Sequence, residues 1–211
     1  MGKLILIRHG ESRGNKNHIF LGHTDLDLTE RGYRQAKLTA DYIEKTYDID
    51  VIYSSDLQRA YHTVEEYAKR KNLDIIKDRN LREIYAGAWE ALPYEEIDAK
   101  YHDAYNTWHH DIGHAVCTDG ESVAELQKRI VAEIFKIRNE NPEKNILIGT
   151  HATPIRVLRD YLSGGSLAQM KDIPWVPNAS VTVIDSDSMK LLTEGYADHL
   201  GEEFVAPSRK M

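Results

Sequence analysis

Lys3-Leu4-Ile5-Leu6-Ile7-Arg8-His9-Gly10-Glu11-Ser12 is the stretch on which the reading of the whole chain turns. The aliphatic run Leu4 to Ile7 has no polar alternation. That pattern fits a strand buried on both faces, and such strands belong to parallel sheets covered by helices. The run stops at Arg8 and His9, which makes it too short for the apolar core of a signal peptide. Ligands of open α/β sheets bind beyond the carboxyl ends of strands, so Arg8 and His9 stand where a site is expected. A solvated arginine and a structural histidine are the plainer account of the same pair.

Outward from this strand, short apolar runs recur at Val51 to Tyr53, Asn145 to Ile148 and Ser180 to Ile184. Helical periods lie between them. Leu57, Ala60, Tyr61, Val64, Tyr67 and Ala68 form one apolar stripe, and Val123, Leu126, Ile130, Ile134 and Ile137 form another. The second opens on the capping box Ser122-x-x-Glu125. Leu28 to Tyr47 reads as a further helix with Thr29 as N-cap, although Gly32 sits where a full box takes Glu or Gln. Strands alternating with helices predict the α/β class and a mostly parallel central sheet. The 211 residues carry no linker, repeat or low-complexity tract, so one domain over 1–211 is expected. Residues 90–120 show no clean period and read as an irregular helical insertion near the site. Ser163 to Ser166 and the tail from about 201 to 211 read as the loose parts.

Apolar residues make up 41% and charged residues 29%, mixed throughout, which fits neither disorder nor a membrane span. A formal charge of -7 disfavours nucleic acid and anionic lipid as partners and requires any anion site to be built locally. Cys117 is the only cysteine, so no internal disulfide forms and a reducing, cytoplasmic location is expected by default. Cys117 itself reads as a packed small hydrophobe, with a nucleophilic role as the alternative.

The strand ending at Thr150 runs into His151-Ala152-Thr153-Pro154, and Pro154 suits the first turn of a helix. His151 thus occupies a second strand end. In Val51-Ile52-Tyr53-Ser54-Ser55-Asp56-Leu57-Gln58-Arg59, Ser55 or Asp56 is expected to cap a helix whose first turn holds Arg59. A cation there opposes the helix dipole, so Arg59 makes better sense as a donor to an anion drawn to the same end. Glu83, in Leu81-Arg82-Glu83-Ile84, is by itself an ordinary surface acid.

Together, Leu4 to Ser12 with Asn15, Leu26 to Gly32, Ser54 to Ala60, Leu81 to Glu90, Gly120 to Ser122 and Thr150-His151 resemble the histidine phosphatase superfamily, the phosphoglycerate-mutase-like enzymes. The blocks keep the family's order from residue 3 to about residue 160. The resemblance implies a three-layer αβα sandwich. It implies His9 as nucleophile, Glu83 as proton donor, and Arg8, Arg59 and His151 as a clamp on the phosphoryl group. Ser12, Asn15 and Gly22 would complete the cradle, and Ala152 stands on the substrate side where the family usually has glycine. Leu21 and Ala91 also depart from the family pattern. No cofactor and no metal is implied, and the partner is a small phosphorylated substrate; oligomeric state is left open.

These residue types suit the chemistry. A phosphoryl group in transfer spreads charge over its equatorial oxygens, and two guanidiniums with an imidazole supply directed donors without a metal. His9 must attack as neutral imidazole, so its other nitrogen should donate to a carbonyl in the Gly10 to Ser12 turn. An imidazole pKa near its ordinary value of about 6.5 leaves that form available. The 68 positions from Glu83 to His151 (151 less 83) resemble the shorter phosphatase version of the fold and favour hydrolysis over phosphoglycerate interconversion, with the mutase as runner-up. A metal site at His102, His109, His110 and His114 and a catalytically inactive binding protein are the competing classes. Trp89, Tyr94, Trp108 and Ile155 are either pocket walls or core.

Overall fold

A computed structural model describes residues 2–206. In chain order the elements are β1 (Lys3–Arg8), α1 (Arg13–Lys16), β2 (Ile19–Phe20), α2 (Glu30–Thr46), β3 (Val51–Ser54), α3 (Gln58–Lys71) and β4 (Ile75–Lys77). There follow β5 (Leu92–Pro93), α4 (Tyr94–His110), α5 (Val123–Glu140), β6 (Ile146–Thr150), α6 (Ala152–Leu162), β7 (Val181–Asp185) and β8 (Leu191–Tyr196). Among the described residues one six-stranded sheet runs in the order β4-β3-β6-β1-β7-β8, and β2 pairs with β5 apart from it. The first four of the six strands are mutually parallel, while β7 and β8 run antiparallel to their neighbours. The α/β class with a mostly parallel sheet therefore holds.

The continuous aliphatic character of β1 has the expected cause. Leu4 and Leu6 point to one face, where they join Leu126, Ile130, Ile134 and Ile137 of α5 and Ile155 and Leu158 of α6. Ile5 and Ile7 point to the other and pack with Ala40 and Ile43 of α2 and Val64, Tyr67 and Ala68 of α3. Each face is covered by helices, so successive residues of a central strand both lose water. The result is three layers.

Register then sets the site. Leu4 to Arg8 pair with Ile146 to Thr150, and Val51 to Ser54 pair with Ile146 to Gly149. The three strands end level with one another. His9 N–H donates to Thr150 O at 3.0 Å and Ser55 N–H to Gly149 O at 2.9 Å, which places His9, His151 and Ser55 along one edge.

Several expectations are refined. The helix read at Leu28 to Tyr47 is α2, with Thr29 Oγ1 accepting from Gly32 N–H at 3.0 Å. The 90–120 segment is more ordered than its lack of period implied: it holds β5 and α4, but α4 breaks its helical geometry at Tyr101, which is why no single period runs through it. The tail is tied down as far as Glu203, whose carboxylate meets Arg34 Nε at 2.7 Å and Arg31 Nε at 3.3 Å while its carbonyl accepts from Gln35. Residues 207–211 of the tail expected to be loose lie outside the described residues.

Gly32 has a packing reason. A Cβ there would stand 2.1 Å from Glu11 O, and one on Gly10 would stand 2.7 Å from Gly32 O, so the turn after β1 lies directly on the first turn of α2. Helix propensity alone favours alanine over glycine by up to about 1 kcal/mol. The overlap with main chain should outweigh that gain, since overpacking costs roughly 1–3 kcal/mol. Gly32→Ala is therefore expected to lower the denaturant midpoint; a variant as stable as wild type would contradict this packing.

Candidate active site

The strand-end edge opens into a small cleft whose lining includes Arg8, His9, Asn15, Arg59, Glu83, Ala152 and Thr153. Arg8, His9, Arg59 and His151 are all buried. His151 lies behind the wall with its ring centroid 5.2 Å from that of His9, edge to face. The five residues matched to the family's core are thus brought to one place.

The nucleophile candidate is fixed in one tautomer. His9 Nδ1–H donates to Gly10 O at 2.7 Å, leaving the Nε2 lone pair. Asn178 Nδ2 donates to His9 O and Gly10 O at 3.0 and 3.2 Å, and Gly10 N–H donates to Thr63 Oγ1 at 3.0 Å. Burial, then the charges of Arg59 and Arg8, hold the His9 pKa well below 6.5, opposed in part by the Gly10 hydrogen bond.

Arg59 donates from Nη1 to Thr24 O at 2.8 Å and from Nη2 to Gly22 O at 2.7 Å. Arg8 Nη1 donates to Val176 O at 2.7 Å. Burial pushes both guanidiniums down to about 10, against the pull of the Glu83 charge, so both stay cationic at neutral pH. The Glu83 carboxylate accepts from Ile84 N–H at 2.8 Å and from Thr153 N–H, in the first turn of α6, at 3.3 Å. Its carbonyl is gripped by His23 Nε2–H at 2.9 Å and Arg129 at 3.2 Å.

His151 is the N-cap residue of α6, and its Nε2 pairs with Ser55 Oγ at 2.9 Å. Its Nδ1 is buried without a hydrogen-bond partner among the described residues. Burial, Arg59 and His9 keep this ring's pKa well below 6.5 as well. Ser55 and Asp56 do not cap α3 as expected. Leu57 is the cap residue without a side-chain bond, because Ser55 is engaged with His151 and Asp56 with Arg82 in a bidentate pair at 2.6 Å.

The cradle residues divide. Asn15 lines the cleft, and its Oδ1 takes Ser12 N–H, Ser12 Oγ–H and Asn178 Nδ2–H, leaving its own Nδ2 hydrogens. Ser12 is not in the wall; it caps α1 and orients Asn15. Gly22 also stands behind the wall, with φ at 50° and a carbonyl that holds Arg59. A Cβ on Gly22 would stand 2.4 Å from Glu90 Oε1. Tyr94 and Trp108 line the cleft, whereas Trp89 and Ile155 are fully buried core.

Sequence reasoning missed Glu90, Trp175, Asn178 and Ser55. Glu90 Oε1 accepts from His23 N–H at 2.7 Å and Ala86 N–H at 3.2 Å, and its Oε2 from Thr24 Oγ1–H at 2.6 Å. One carboxylate therefore clasps the loop whose carbonyls aim Arg59. The four histidines around α4 do not gather. His102 pairs with Asp98, His110 with Asn106 O and His114 with Asp111, and no three metal-ligating side chains converge among the described residues. Cys117 is buried, and burial raises its thiol pKa far above the ordinary value. That environment suits packing, not attack.

The sequence pattern of the histidine phosphatase superfamily, branch 1, matches residues 4–199. The chain belongs to the histidine phosphatase superfamily. It is 34% identical over 207 residues to Phosphoserine phosphatase 1 of Hydrogenobacter thermophilus, covering 97% of both chains. It is 29% identical to Phosphoglycerate mutase-like protein 4 of Arabidopsis thaliana, covering 95% of this chain and 87% of that one. The solved structure of Bacillus stearothermophilus YhfR superposes with a TM-score of 0.89 at 27% identity, covering 95% of this chain and all of the other. The family match and the phosphatase names among its relatives make this chain a phosphatase.

Two outcomes follow from the geometry. Because His9 is held neutral by a lowered pKa, the acid limb it sets in kcat/KM should lie below pH 6.5 once the substrate's own ionisation is allowed for; a limb at or above 6.5 contradicts the burial argument. Glu90→Ala frees the Arg59 loop, and a charge-assisted hydrogen bond is worth about 1.5–3 kcal/mol. Competitive inhibition by inorganic phosphate should weaken roughly tenfold or more, with the circular dichroism spectrum retained. An unchanged inhibition constant would show that Arg59 does not depend on Glu90.

Proposed function

We propose that the chain hydrolyses a small phosphomonoester through a phosphohistidine on His9, within one catalytic domain and without a metal. The observation that carries this reading is the His9 ring itself: its Nδ1 proton is spent on Gly10 O, and its remaining lone pair shares a cleft with Arg8, Arg59 and Glu83.

In the first step Nε2 forms a bond to phosphorus while the phosphorus–oxygen ester bond breaks, and Glu83 gives its proton to the departing alcohol oxygen. Arg8, Arg59 and Asn15, which line the cleft, hold the equatorial oxygens, and His151 backs the His9 ring from behind the wall. The N–H groups of Ile84 and Thr153 hold the Glu83 carboxyl group in place for that transfer. In the second step water attacks phosphorus, Glu83 takes its proton, the phosphorus–nitrogen bond breaks and neutral His9 returns with orthophosphate as product. A cytoplasmic setting fits the lone buried Cys117; no described helix is long and apolar enough to cross a membrane.

Hydrolysis is preferred to mutase chemistry because the relative with the higher identity carries a phosphatase name and the Glu83 to His151 interval is short. A phosphomonoester panel in EDTA separates the readings. Wild type should release phosphate, and His9→Ala should lose that release by at least about 10³-fold. Glu83→Gln should lower kcat by about 10²-fold or more, in the range typical of a general acid. Isomerisation of 3-phosphoglycerate without phosphate release would promote the mutase, and loss of activity in EDTA would restore a metal.

A further inference from the structure

The cleft changes character away from His9. Its remaining walls are Ile19, Phe20, Leu21, Tyr94, Trp108 and Trp175. Of all the lining residues, only Arg8, Arg59 and Glu83 carry full charges, and these three belong to the phosphoryl end.

The aromatic walls are held rigidly. Phe20 meets Tyr94 edge-on at 6.2 Å and Trp108 at 5.2 Å, and Trp108 meets Trp175 at 6.3 Å. Pairing of Phe20 with Leu92 and of Ile19 with Pro93 ties the 19–21 segment to the start of α4, which carries Tyr94. Arg156 lies over the Trp175 ring at 4.3 Å while donating to Ile173 O at 2.7 Å and Met170 O at 2.8 Å. That cation positions an aromatic wall from outside the cleft lining; it does not face the substrate.

We propose that this end is a subsite for the alcohol half of the substrate, fitted to an uncharged aromatic or bulky apolar group and unfavourable to an alcohol bearing a carboxylate. The inference rests on the phosphatase reading above. With phosphorus at His9 Nε2, a carboxylate one or two carbons from the ester oxygen must sit beside Glu83 and among these rings. Arg8 and Arg59 are committed to the phosphoryl oxygens, and the lining supplies no third cation. A carboxylate stripped of water without a partner is strongly disfavoured, whereas a ring buried among rings gains both area and edge contacts. The name of the Hydrogenobacter relative accordingly does not carry over on fold alone.

The test compares benzyl phosphate with O-phosphoserine and 3-phosphoglycerate, all esters of alcohols, on wild type, Trp175→Ala and Ile19→Lys. Benzyl phosphate should exceed the other two in kcat/KM by about tenfold or more, the size expected for burying one ring. Trp175→Ala should shrink that ratio several-fold, and Ile19→Lys should shrink it by raising the rate on the carboxylated esters. Titration with benzylphosphonate and with 3-phosphonopropionate, read by quenching of Trp108 and Trp175, reports binding without turnover, and the first should bind more tightly. Equal or better rates on O-phosphoserine or 3-phosphoglycerate, or equal binding of the two phosphonates, would overturn the subsite. Preferential benzylphosphonate binding with no ester hydrolysed would support the subsite and defeat the phosphatase reading instead. If Trp175→Ala does not fold, Ile19→Lys and the phosphonates decide.

Discussion

A single short hydrogen bond, His9 Nδ1–H to Gly10 O at 2.7 Å, is the constraint around which the molecule is arranged. The carbonyl can receive it only if the turn after β1 is held rigidly, and four separate parts of the chain do the holding. Gly10 lies on Gly32 of α2, Gly10 N–H reaches Thr63 of α3, Asn178 grips two successive carbonyls, and Thr150 O of β6 accepts from His9 N–H. The parallel register of β1 with β6 then brings His151 alongside. Fixing the tautomer is therefore a property of the fold, with each contributor far from His9 in sequence.

Electrostatics complete the arrangement. A protein of net charge -7 buries two guanidiniums at one point and satisfies them largely with main-chain carbonyls. Their charge remains available to a dianion, and the same charges with burial keep His9 and His151 neutral. Both rings resist protonation when folded, while the unfolded chain's histidines take up protons as pH falls below about 6.5, so stability is lost in that direction. Glu83 is the balancing anion, its carboxylate held by two N–H donors and its carbonyl by His23 and Arg129.

Much of this was legible in the sequence because it depends on local signals. The uninterrupted Leu4 to Ile7 run, the Pro154 turn and the Ser122 box each report their own surroundings, and β1, α5, β6 and α6 follow from them. Strands β4 and β8 escaped: the first has three residues at a sheet edge, and in the second Thr193, Glu194 and Gly195 interrupt the apolar residues. The supports of the site were illegible for a different reason. Arg8 is held by Val176 and His9 by Asn178, partners 168 and 169 positions away in a stretch without helical or strand period. Ser55 has the spacing of a helix cap, but the buried imidazole of His151 claims it instead.

In this mechanism the transferred group passes through His9 Nε2. Rapid acid-free quenching during steady-state turnover of a ³²P-labelled ester, followed by alkaline proteolysis and mass mapping, tests it most directly. An acid-labile, base-stable phosphate is expected on the peptide containing His9, carried at Nε2 and formed fast enough to precede phosphate release. Turnover with no labelled peptide at any time, or label on another residue, would contradict it.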